Sequence, residues 1–438
     1  MGRHLSRAHG SRAHPSPKPG SFRQRLLGLV GPGFIAGASD DDPSGIATYS
    51  QVGAQFGYGL LWTIPFSFPL MTAIQDISAR IGRVTGHGIA GNLRRFYPHW
   101  VGRLMVGLMV LANVLNIGAD LAAMGETMRL LVGGTVILYA VLLAVGSALL
   151  QVFVPYRQYA RFLRWLTFAL FTYIAVAFVV KVPWGDALRG ALLPRFSFDA
   201  KVITAVIAVL GTTISPYVFF WQASEEAEDT ADTPGDRALK RAPWQARAHL
   251  RRINEDTVVG MLFSHLVAFF IILSCAATLH ARGIDDIESA SQAAEALRPI
   301  AGDLSFLLFC IGIVGTGLLA IPVLAGSAAY AVGEILQWHV SLESKPRDAK
   351  GFYGVLVAAM LFGLAVGVSG INPIRALFWT AVINGLVAGP VMVMIMLLAG
   401  NRRAMGDFRV PRVLYAGGWL ATAVMLLATI AMFASWML

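Results

Sequence analysis

The run Asp40-Asp41-Asp42-Pro43-Ser44-Gly45 sits inside an apolar segment that begins near Leu26 and continues past Gln51. Charge in such a place is costly. An Asp at mid-membrane carries about 2.5 to 3.5 kcal/mol on insertion scales. Pro43 removes a backbone donor, and Gly37 and Gly45 weaken the helix on either side. The stretch therefore reads as a transmembrane helix broken at its middle, with carbonyls and at least one carboxylate turned to a buried site. A second break of the same kind, Gly211-Thr212-Thr213-Ile214-Ser215-Pro216-Tyr217, lies in the second half of the chain. Two interrupted hydrophobic segments in matching positions point to the binding site of a membrane carrier.

The composition agrees with a membrane setting. Hydrophobic residues make up 56% of the chain and charged ones 14%, against about 25% charged in a soluble domain; the mean hydropathy is +0.62. Many apolar runs approach the length that crosses a bilayer core as a helix, and strand-like alternation is absent, which argues against a β-barrel. The expected fold is all-α and polytopic, with about eleven spans: 26–50, 58–80, 102–130, 134–155, 160–182, 200–224, 256–280, 303–337, 351–370, 372–399 and 413–437. Residues 1–25 read as a disordered basic cytoplasmic tail without a cleaved signal peptide.

The net charge of +10 belongs to topology, not to nucleic acid. Most of the Lys and Arg fall in the tail and in alternate loops, such as Arg80, Arg83, Arg94 and Arg95 after the second span and Arg237, Lys240, Arg241 and Arg247 after the sixth. The loop with Asp285, Asp286 and Glu288 is acidic. The positive-inside rule then places the N-terminus in the cytoplasm and the C-terminus outside. Cys275 and Cys310 lie in apolar spans and read as inert buried thiols.

Each set beginning with a broken helix holds five spans, an odd number, so spans 1–5 (26–182) and 6–10 (200–399) cross in opposite senses. That is the pattern of inverted repeats with substrate held at their interface. The last span, 413–437, is accessory.

Asp42 is the leading candidate ligand for a cation, because its carboxylate is a hard oxygen donor suited to Mg²⁺, Ca²⁺ or Mn²⁺. Its competing role is to cap the second half-helix; the two are compatible. Asp40 and Asp41 are weaker candidates for direct or water-mediated contact. Thr212 and Ser215, three residues apart, are expected on one helix face with hydroxyls toward the site, unless those hydroxyls bond back to their own helix. Carbonyls near Gly45 and Thr212 complete the set. Asp120 is a pathway or proton-relay candidate. Gln75, Asp76, Asn113, Asn116, Gln222, His265, Asn372, Arg375 and Asn384 read mainly as bonds between helices. No phosphate loop, nucleophile elbow or His/Cys ligand spacing is present, so the chain does not read as an enzyme and needs no cofactor.

At these residues the chain resembles the Nramp family of divalent metal transporters. That family carries Asp-Pro-Gly-Asn in its first helix and Ala-x-x-Met-Pro-His in its sixth; here the positions read Asp42-Pro43-Ser44-Gly45 and Thr212-Thr213-Ile214-Ser215-Pro216-Tyr217. Gln75-Asp76-Ile77 and Asp120-Leu121-Ala122 also fit. The resemblance implies a LeuT-like fold of two inverted five-helix repeats with helices 1 and 6 broken. The departures matter. Gly45 stands for the family's Asn, Ser215 for its Met, Thr212 for its Ala, Tyr217 for its His, and Ala123 for an acid. This pattern is similar to the Nramp-related magnesium transporter branch, which takes up Mg²⁺ and Mn²⁺ without proton coupling.

The expectation is an inner-membrane carrier for divalent cations, Mg²⁺ with Mn²⁺ tolerated, not proton coupled, with Asp42, Gly45, Thr212 and Ser215 at the metal. Its partners are the ion and the bilayer, and it is a monomer or weak homo-oligomer. The alternative is a proton-coupled Mn²⁺/Fe²⁺ carrier of the same family with Asp120 as relay.

Overall fold

The computed structural model describes Gly37 and residues 39–154, 170–195, 197–342 and 346–437. The tail at 1–25, the first part of span 1 and the start of span 5 lie outside the described residues. Among the described residues there are helices and no strands.

The first break falls where the sequence places it. Ser39 and Asp40 are helical, Asp41 bends, and Asp42 is extended (φ −72°, ψ 172°) before α1, Pro43–Phe56. Pro43 at the first helical position loses nothing, since that N–H has no partner in any helix. Next come α2 (Thr63–Thr85), the short amphipathic α3 (Ile89–Phe96), α4 (His99–Val132) and α5 (Val136–Phe153). They are followed by α6 (Phe171–Val179) and α7 (Trp184–Leu192). The second break separates α8 (Ala200–Thr213) from α9 (Pro216–Asp232). Then follow α10 (Ala246–Thr278), α11 (Ser305–Leu336), α12 (Lys350–Gly367), α13 (Pro373–Gly400) and α14 (Arg412–Met437).

Eight stretches of the described chain are long and apolar enough to cross a membrane. The short half-helix α1 is not among them, nor is α2, whose polar run Gln75, Asp76, Arg80 and Arg83 lowers its hydropathy while packing turns all but Arg80 inward. The expected span edges shift by several residues. Span 7 begins ten residues earlier, because α10 runs on past the bilayer with a charged face at Arg251, Arg252 and Glu255.

The contacts carry the inverted repeat. α1 lies along α10, the seventh span, while α9, the second half of span 6, lies along α2. Exchanging the repeats turns one pair into the other. The long α4 and α11, spans 3 and 8, pack on each other between them. Close approach needs small residues: a Cβ on Gly211 of α8 would collide with the backbone of Ala381 and Gly385 on α13.

The two ends of the bundle differ in charge. At one end Leu239 and Lys240 donate to the carbonyls of Arg83 and Val84, and Lys240 Nζ reaches the Arg403 carbonyl at 2.9 Å. Three basic loops therefore meet there. At the other end Gln51 bonds Asp285 and Ile287, and Asn372 bonds Glu288, around the acidic loop.

Candidate metal site

The two breaks face each other. A Cβ placed on Gly45 would lie 3.1 Å from Thr212 Oγ1 and 3.3 Å from the Tyr49 ring, so only glycine leaves this approach open. Tyr217, two residues past the second break, donates from its hydroxyl to the Ser39 carbonyl at the first, at 3.1 Å. Asp40, Asp41, Asp42, Thr212, Ser215, Tyr49, Tyr217, Asn116 and Asp120 are all buried.

Asp42 is held by three donors. Its Oδ1 accepts from the Gly45 N–H at 2.8 Å and from Ser44 Oγ at 2.6 Å, and its Oδ2 accepts from Asn116 Nδ2 at 2.8 Å. The first bond is the N-cap of α1; the last fixes the carboxylate against α4. Oδ1 has both lone-pair directions occupied, but Oδ2 accepts a single bond and keeps its second direction, so a capped Asp42 retains capacity for an ion.

Thr212 and Ser215 do not share a helix face. α8 ends at Thr213, Ile214 leaves helical geometry, and Ser215 is the extended residue before α9. Pro216 cannot continue a helix from the carbonyls behind it, which explains the stop. The two hydroxyls also differ. Ser215 Oγ bonds back to the Gly211 and Thr212 carbonyls at 3.1 and 3.0 Å, whereas Thr212 Oγ1 is buried with no hydrogen-bond partner.

Asp40 and Asp41 turn toward α10, where Ser264 Oγ lies 3.4 Å from Asp40 Oδ2 and 3.0 Å from Asp41 Oδ1. Asp120 lies on α4 one turn past Asn116, the residue that bonds Asp42. Neither Asp120 oxygen has a hydrogen-bond partner. Among the described residues no group of three or more His, Cys, Asp or Glu side chains is arranged to hold an ion. A cation at Asp42 would therefore be completed by neutral oxygens.

His265 is satisfied on both ring nitrogens, by the Met261 carbonyl at 2.9 Å and by Ser67 Oγ at 3.2 Å. Gln75 reaches Gln222 and the Val218 carbonyl, and Asn113 reaches Leu324 and Ser327, each across helices. Asn116 and Ser264 are the site residues that sequence reasoning did not single out. Asn116 had one usable signal, its four-residue spacing from Asp120 on a single helix face. Ser264 had none.

Two facing helix breaks, buried oxygens and an exchanged pair of helix contacts define a polytopic carrier with a LeuT-like fold. The profile of the family described as "Natural resistance-associated macrophage protein-like" matches residues 33–435. The chain belongs to this Nramp family of membrane transporters, whose metal ion is cargo rather than cofactor. It is 25% identical over 410 residues to the divalent metal cation transporter MntH of Klebsiella pneumoniae, covering 92% of each chain. It is 28% identical over 323 residues to MntH of Xanthomonas campestris, covering 72% of this chain and 70% of that one. The manganese transporter of Eremococcus coleocola superposes with a TM-score of 0.75 at 18% identity, over 96% of this chain and 89% of that one. Mhp1, a nucleobase-cation-symport-1 family transporter, shares the fold with a TM-score of 0.56 at 15% identity, over 93% and 92%.

Proposed function

We propose that this protein moves divalent metal cations across the plasma membrane, with Mn²⁺ as the principal cargo. Asp42 supplies the main charge, and Thr212, Ser215 and carbonyls near Gly45 and Thr212 supply neutral oxygens, directly or through water. One observation carries the reading: the buried Asp42 stands between two facing helix breaks, beside the unpartnered hydroxyl of Thr212.

The magnesium preference expected from the sequence gives way to the alternative. The relatives are named for divalent metal cations and manganese, and an all-oxygen lining suits Mn²⁺ as well as Mg²⁺. The buried, unpartnered Asp120, one turn past the Asn116 that bonds Asp42, also supports the alternative's proton relay. The magnesium reading stays as the second one on a specific ground. Ser215 leaves no thioether at the site, so nothing there favours a softer metal over a partly hydrated Mg²⁺. The basic end of the bundle, with Arg83, Lys240 and Arg403, faces the cytoplasm on this reading, which places the N-terminus inside and the C-terminus outside.

The test is Mn²⁺ uptake into proteoliposomes, with and without excess Mg²⁺. Saturable Mn²⁺ uptake that persists in excess Mg²⁺ and is lost in Asp42→Asn is expected. Uptake abolished by Mg²⁺ selects the second reading, and uptake unchanged in Asp42→Asn removes the proposed ligand.

A further inference from the structure

Three consecutive carboxylates enter the first break, and they do not converge on one point. Asp42 points to α4 and has donors on both oxygens. Asp40 and Asp41 both reach the hydroxyl of Ser264 on α10, whose one proton serves only one of them at a time, and Asp40 also lies near the Ser215 hydroxyl. Asp40 Oδ1 and Asp41 Oδ2 are buried with no hydrogen-bond partner. Among the described residues none of the three carboxylates forms an ion pair with Arg, Lys or His.

Buried charges need compensation. An unpaired ion in a protein interior costs several kcal/mol even after relaxation. One dication at Asp42 does not neutralise two further carboxylates turned the other way. The unpartnered oxygens also lie where a hard cation takes its ligands: carboxylates and a hydroxyl, with water able to fill the rest of the shell.

We propose that Asp40, Asp41 and Ser264 form a second position for a divalent cation, on the α10 side of the break and next to the one at Asp42. This rests on the reading that Asp42 holds the transported ion. Two dications side by side repel each other, so arrival at one position weakens the hold at the other. Adjacent sites of this kind allow ions to bind firmly enough to enter and loosely enough to leave. Protonation of Asp40 and Asp41 is the competing way to neutralise the same charge, and stoichiometry separates the two.

The experiment is equilibrium dialysis of the purified full-length protein against saturating Mn²⁺, with the bound ion also followed by electron paramagnetic resonance. Wild type is expected to bind two Mn²⁺ per chain, with the spectrum broadened by spin–spin interaction. Asp40→Asn/Asp41→Asn is expected to bind one, with a sharp spectrum, and Asp42→Asn to bind one elsewhere. Ser264→Ala, which removes only a hydroxyl, is expected to weaken the second ion about tenfold. Thermal unfolding of each variant checks that it is folded. One Mn²⁺ in wild type, unaffected by the Asp40/Asp41 variant and lost in Asp42→Asn, overturns the second position and leaves the Asp42 reading standing. Binding that is the same in wild type and Asp42→Asn overturns that reading instead.

Discussion

At Asp42 one carboxylate caps α1 and, on the proposed reading, holds the ion, and substitution separates the two demands. Asn caps a helix about as well as Asp. Asp42→Asn keeps an oxygen for the Gly45 N–H and the Ser44 hydroxyl, and Asn116 restores its bond by turning its amide to offer oxygen in place of nitrogen. The charge alone is lost. We expect a melting temperature within a few degrees of wild type and a fall in Mn²⁺ uptake of at least about tenfold, read by thermal unfolding and by proteoliposome flux. Asn116→Ala removes the donor that orients Asp42 Oδ2 and should weaken Mn²⁺ affinity by about 10- to 100-fold, the range for a partner that positions a ligand. Asp42, Gly45 and Thr212 were legible in the sequence because acids, glycines and prolines stand out in apolar runs. Ser264 was not, since a lone serine in an apolar helix carries no mark of which partner crosses to it.

The elements that close the site are pinned at the basic end by buried ion pairs. Arg83 of α2 is fully buried and meets Asp229 of α9 at 3.2 Å, Asp236 of the following loop, and the His249 ring of α10. Arg252 of α10 meets Glu226 of α9 at 2.6 Å. α2, α9 and α10 are thereby tied together about three turns along α9 from the break. Arg83 is buried while Asp229 and Asp236 keep some exposure and other partners, so its removal costs less than stranding a fully buried charge, and that cost falls on this arrangement if the helices separate when the site opens to that end. Arg83→Ala should therefore raise alkylation of a cysteine placed at the buried Ser224 on α9, in a background with Cys275 and Cys310 replaced. An unchanged alkylation rate would show that this cluster only staples the fold. Much of this scale was readable beforehand. Hydropathy and proline placed most of the spans. The break at 211–217 was foreseen, but Thr212 and Ser215 do not share the helix face expected of them, because three-residue spacing says where residues fall on a helix but not whether the helix lasts that long. α3 was not foreseen, its eight residues being too few for periodicity to register.

For the whole molecule, the buried site and the exchanged contacts of α1 with α10 and α2 with α9 fit a carrier that rocks α1 and α9 against the α4–α11 scaffold. What drives it is a separate matter. A dication crossing a potential of ~100 mV gains ~4.6 kcal/mol, from ~2.3 per charge, which by itself sustains accumulation of about a thousandfold or more. A proton is thus not required for uphill uptake. The structure nonetheless sets Asp120, with two unpartnered oxygens, one turn past the Asn116 that bonds Asp42, and a buried carboxylate with no donor on either oxygen is a place to carry a proton. A proton delivered with each metal ion takes that place. In proteoliposomes clamped at zero potential with potassium and valinomycin, an inward proton gradient should then drive Mn²⁺ in, and the lumen should acidify as Mn²⁺ enters. Asp120→Asn should abolish the acidification while potential-driven uptake persists, since Asn116 still orients Asp42. If uptake at zero potential ignores the proton gradient and the lumen pH stays constant, the ion moves on its own charge, as the magnesium reading requires.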